Sequence, residues 1–175
     1  MRRRSALVLA AALLSASACS AQAMSSEHAV SAQTVDGTTI TVEFYRPKAR
    51  GRALFGSLVP WGVPWTPGAN WATTIDVDHD VRVNGQALPK GKYTIWAIPQ
   101  QAEWTIIFDR RERVFHTRGP SASDEQMRVT THAETVPFTE MLTWSFPLVQ
   151  RDGTTLQLAW GTTSVALTID VPGSK

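Results

Sequence analysis

An alternation of period two runs through almost the whole chain after its first two dozen residues, and it confines the fold to sheets. Ile40, Val42 and Phe44 alternate with Thr39, Thr41 and Glu43; Trp71, Thr73, Ile75 and Val77 alternate with Ala72, Thr74, Asp76 and Asp78. Successive side chains of a strand point to opposite faces, so this pattern marks half-buried strands. Turn chemistry falls between the alternating segments at Asp36-Gly37, Asn84-Gly85, Pro89-Lys90-Gly91, Pro99-Gln100-Gln101 and Asp152-Gly153, with Gly161 ahead of the last strand. No segment sustains ten residues of helical periodicity. The pattern predicts strands near residues 28–35, 38–46, 71–78, 80–84, 91–98, 103–109, 125–133, 139–147, 154–160 and 163–171. Strands at spacings of about 8 to 12 residues imply a single all-β domain, an antiparallel β-sandwich or barrel-like sheet of about ten short strands.

The first residues follow a different pattern. Arg2-Arg3-Arg4 gives a positive start, residues 6–14 an apolar run too short to span a bilayer, and Ala21-Gln22-Ala23 a small-residue cleavage site. Residues 1–23 are expected to be a signal peptide. Residues 24–175 then form the mature β domain, beginning at Met24 and located in the periplasm or secreted. A lesser alternative is a lipoprotein acylated at Cys19, although Ala16-Ser17-Ala18 lacks the branched residue usual three positions upstream. Losing the leader removes three arginines and no acids, so a formal charge of +2 becomes −1. The basic character therefore belongs to the leader, and the mature chain has no basic stripe suited to nucleic acid. No transmembrane segment is expected, and no oligomeric state is implied. Cys19 is the single cysteine, so packing and strand pairing must hold an exported domain together without an intrachain disulfide.

One segment interrupts the alternation. Residues 46–74 contain three tryptophans, a phenylalanine, four prolines and four glycines between two strand-like stretches. So long a connection in a compact domain is usually functional or carries structure of its own, and large aromatics are costly to leave in water. Trp61 and Trp65 lie among prolines, where a rigid aromatic can stand at a pocket mouth. Arg46, Arg50 and Arg52 flank the start of the segment, with guanidinium forks that suit a carboxylate or phosphate. Asn70 sits where Gly68-Ala69 meets the next strand; it is expected either to hold the loop by an Asx-type turn or to contact a ligand. The candidate ligand-binding set is Arg46, Arg52, Trp61, Trp65, Asn70 and Trp71. Packing of the loop onto the sheets, with Arg46 tied to backbone carbonyls, is the competing role. Trp96, Trp104, Trp144 and Trp160 fall in strand patterns and are expected to be buried.

Five ordered blocks carry a family resemblance: ITVEFYRP (40–47), GRALFGSLVPWG (51–62), WTPGANWATT (65–74), VNGQALPKGKYTIWAIP (83–99) and EWTIIFD (103–109). From about His28 to the final strand the chain resembles an exported bacterial family, the domain of unknown function number 2911. The resemblance implies a shared fold and export and brings no reaction with it. The family's typical run is Trp-Arg-Thr-Gly-Ala-Asn-Glu-Ala-Thr, whereas this chain has Thr66 for the arginine and Trp71 for the glutamate. A hydrophobic or stacking contact is expected where that charged pair is missing.

Other chemistry finds little support. His28, His79, His116 and His132 show no HExxH or short metal-ligand spacing, so neither a metal nor another cofactor is expected. Asp76, Asp78 and Asp80 lack the glycine and glutamate of a calcium loop, since Val81 and Ala87 occupy those positions. His132-Ala133-Glu134 has no downstream cysteine pair to hold zinc. No GxSxG, P-loop or dinucleotide fingerprint occurs. A second arginine group, Arg110, Arg111, Arg113 and Arg118, is adjacent rather than convergent and reads first as a solvated loop. The sequence thus favours a non-catalytic binding module for a small molecule, glycan or envelope component. The alternatives are a hydrolase using His28, His116 or His132 with an acid or arginine, and a structural module that docks an envelope protein.

Overall fold

The computed structural model describes residues 26–173; the expected leader, with Cys19, lies outside them. Nine antiparallel strands follow one another: β1 (Glu27–Val35), β2 (Thr38–Arg46), β3 (Thr74–Val77), β4 (Val81–Val83), β5 (Gln86–Leu88), β6 (Gly91–Ile98), β7 (Glu103–Asp109), β8 (Glu125–Val149) and β9 (Gly153–Asp170). They form one open sheet in the order β1-β2-β3-β6-β7-β8-β9-β4-β5. The fold is all-β and sandwich-like, with no helix among the described residues and so none able to cross a membrane.

Local chemistry explains the hairpins. Asp36-Gly37 joins β1 to β2 and Asn84-Gly85 joins β4 to β5, and all four residues have positive φ. That is the backbone of the type I′ turn, whose twist matches that of the strands it joins.

The strand count differs from the expected ten for two reasons. The segment expected at 80–84 is a separate hairpin of β4 and β5. The four segments expected at 125–133, 139–147, 154–160 and 163–171 are two long strands, β8 and β9. The expected breaks exist as bends. The β8–β9 register slips between Thr135 and Thr139, around Pro137, and Thr139 pairs with Gly161 at φ +61. Proline cannot donate to a ladder and glycine accepts left-handed backbone, so both strands bend together without ending. The first part of β8 pairs with β7, and the rest pairs with β9.

The main core lies between these two regions. Ile40, Val42 and Phe44 of β2, Ile75 of β3, Ile95 of β6 and Trp104, Ile106 and Phe108 of β7 join Leu142 and Trp144 of β8 and Leu156, Leu158 and Trp160 of β9 in one buried cluster. All four strand tryptophans are buried as expected. Trp96, however, faces away from this cluster. With Ala72, Ile107 and Val114 it forms a smaller one on the outer side of the sheet.

Candidate functional site

The 46–74 segment is fastened to the sheets at several points. Trp65 and Ala97 exchange backbone hydrogen bonds of 2.8 and 2.7 Å, as in a strand ladder. The Trp144 indole donates to the Pro67 carbonyl at 3.1 Å. Thr66 is fully buried: its hydroxyl donates to the Ile95 carbonyl at 3.2 Å and accepts from the Thr73 N–H at 3.0 Å. Arg46 donates from Nε to the Leu142 carbonyl and from Nη2 to Thr143 Oγ1, at 3.2 and 2.9 Å. Arg52 donates to the Ala49 and Lys48 carbonyls at 2.9 and 2.5 Å. Both arginines therefore brace backbone.

The six candidate residues do not share one cavity. Arg52 and Trp61 line a groove of about 370 Å³ at the β8–β9 bend, together with Phe55, Phe138, Trp160 and Gly161. Trp65 lies in an adjoining groove with Arg52 and Trp160. Trp71 lines a third, on the outer sheet face, and Arg46 and Asn70 line none of the three.

At the bend the aromatic rings are stacked in sequence. Phe55 packs at 6.2 Å against Trp61 and edge-on at 4.8 Å against Trp104, while Trp65 stacks on Trp160 at 6.0 Å. Trp61 is nevertheless 38% exposed. Gly56 sets its position, because a Cβ there would lie 2.3 Å from the Trp61 indole nitrogen; the residue also has φ +81. Only glycine allows both the turn and the close approach of the ring. Trp160 is almost wholly buried, yet its indole N–H has no partner among the described residues. A buried donor without a partner is an uncommon cost.

The outer-face cleft, about 520 Å³, is lined by Glu43 and Tyr45 of β2, Thr74 of β3, Lys92 of β6, and Trp71, Ala72, Glu112 and Arg113 from loops. Glu43 faces His28 Nε2 at 2.9 Å and Lys92 Nζ at 3.4 Å. The hydrogen bond from His28, followed by Lys92, outweighs partial burial and holds its carboxyl below the usual range. The Arg113 guanidinium lies 4.6 Å over the Trp71 ring, which also meets Phe115 edge-on at 5.5 Å.

The loop carrying Arg113 is anchored by a buried acid. Asp109 is fully buried and accepts from the Arg111 guanidinium and from the backbone N–H groups of Arg111 and Ser121. Burial alone would raise its carboxyl, but these donors outweigh burial and hold it below the ordinary value. Backbone bonds from Ala72 N–H to the Val114 carbonyl and from His116 N–H to the Asn70 carbonyl then pin this loop to residues 70–72.

Residues 25–169 match the family described as protein of unknown function (DUF2911). The chain belongs to that family. No curated protein and no solved structure matches it. At the two positions where this DUF2911 member departs from the run quoted above, a hydrogen-bonding hydroxyl and an aromatic ring stand in place of the charged pair. Thr66 lies inside the loop's hydrogen bonding, and Trp71 stacks with Arg113.

Asn70 has φ +58, and its amide nitrogen is buried without a partner among the described residues. Among the histidines, His28 bonds Glu43 and His79 bonds Asp78. No group of three His, Cys, Asp or Glu among the described residues is placed to hold a metal. Glu43, Tyr45 and Lys92 were missed as site residues. Their signal was present as the outward phase of the strand alternation, but the partner that makes them a cleft comes from the distant 110–118 loop.

Proposed function

We propose that this DUF2911 protein is an exported, non-catalytic binding module that takes a small ring-bearing ligand in the groove at the β8–β9 bend. The carrying observation is the partly exposed Trp61 ring, seated against Gly56 at a groove that Phe55 and Trp160 also line. An exposed aromatic plane accepts the apolar face of a sugar ring. An N-acetylhexosamine, as in an envelope glycan, offers such a face. Export rests on the leader pattern and puts such glycans within reach. Against the hydrolytic alternative, the His28 ring engages Glu43 and packs edge-on against Tyr45, and no hydroxyl bonds it among the described residues.

Tryptophan fluorescence of the chain from Met24 onward, titrated with chitotriose, tests this reading. A saturable change is expected, and Trp61→Ala should abolish it while leaving the melting temperature near that of the parent. A parent protein with no saturable response would reject the proposal.

A further inference from the structure

We propose that the outer-face cleft is a second, independent binding site, selective for a sugar ring that carries a carboxylate. Its charges are unequally engaged. Glu43 has both oxygens occupied by His28 and Lys92, whereas exposed Arg113 forms no ion pair among the described residues. The guanidinium lies 4.6 Å over the Trp71 ring, and its N–H groups form no hydrogen bond among the described residues. A planar guanidinium fork binds a carboxylate bidentately, and stacking pre-orients the fork at little further entropic cost. Lys92, in a single 3.4 Å contact, keeps donors for the same anion.

The remaining groups fit the rest of such a ligand. Tyr45 and Trp71 supply aromatic surface for the C–H face of a pyranose, and exposed Glu112 accepts from ring hydroxyls. A volume of about 520 Å³ falls within the range of small-ligand clefts. The two carboxylates disfavour a doubly charged phosphate ester, while a single carboxylate meets a single unpaired guanidinium. The site is pre-formed, because the Asp109–Arg111 anchor and the backbone bonds at Ala72 and His116 hold both walls in place.

Calorimetric titration of the chain from Met24 onward with trigalacturonate, at low ionic strength and pH 7, decides the proposal. Trigalacturonate should bind saturably, and neutral cellotriose should bind at least tenfold more weakly. Arg113→Gln should weaken uronate binding at least tenfold. Arg151→Gln, which loses the same charge at the exposed β8–β9 turn, should match the parent. Saturating chitotriose should leave uronate affinity unchanged. No saturable uronate binding, equal binding of cellotriose, parental affinity in Arg113→Gln, or competition by chitotriose would each overturn the assignment. Arg113 is exposed, so its replacement reports on binding rather than folding.

Discussion

The two faces of the β2-β3-β6-β7 sheet are closed in different ways. On the inner face, Ile40, Val42, Phe44, Ile75, Ile95, Ile106 and Phe108 meet side chains of β8 and β9 that obey the same alternation. On the outer face, Trp96 and Ile107 are covered by Ala72 and Val114 from two loops, and those loops are held by polar anchors such as Thr66 and Asp109. The first closure is broad and apolar, and its groove lies at the β8–β9 bend. The second is narrow and depends on a few hydrogen bonds, and beside it the sheet remains open as a charged cleft.

If that contrast is right, the largest stability loss comes from the inner face. Trp104 is buried and donates its indole N–H to the Gln100 carbonyl at 3.0 Å. Trp104→Ala should cost about 3 to 5 kcal/mol in denaturant unfolding; an unchanged midpoint would contradict its core role. Next comes the outer-face anchor. Asp109→Asn should cost about 1 to 3 kcal/mol, because it weakens charge-assisted bonds to Arg111. The native carboxyl sits below its ordinary value of 3.8, so its contribution is complete above that pH and is lost as pH falls through the lower native value. The gap between parent and variant should therefore narrow in acid unfolding curves below about pH 4. A gap that stays constant to pH 2 would show that the charge is not what holds the loop.

Asn70 sharpens the comparison further. Its left-handed backbone predicts that Asn70→Ala costs about 1 kcal/mol and that Asn70→Gly costs less. Equal losses in the two variants would assign the effect to the side-chain amide instead. Trp61→Ala should be the mildest, within about 0.5 kcal/mol, as expected for a half-exposed ring away from the core.

How far the sequence could be read follows the same division. Period-two alternation located β1, β2, β6 and β7 to within a residue, because each buries one face against a continuous core. It cut β8 and β9 in two, because Pro137 and Gly161 signal a local break and cannot say whether pairing resumes in the same strand. Residues 71–73 continued the β3 alternation, yet Trp71 bridges Phe115 instead, a pairing across more than forty residues that no local pattern encodes. The tryptophan loop was legible as structured, and Arg46 behaves as the competing packing role anticipated. The position of Arg113 over Trp71 was not legible, since it depends on where Asp109 fixes a loop that reads as a run of solvated charge.

β8 also has a consequence for how the molecule comes apart. Because one uninterrupted strand supplies hydrogen bonds first to β7 and then to β9, neither half of the sheet has an edge of its own at which to separate. Pulling β9 away would strip the partner from the far half of β8 and uncover Leu142 and Trp144 in the same event. The domain should therefore lose both halves in a single cooperative step, with the grooves at the bend and on the outer face vanishing together rather than one outliving the other.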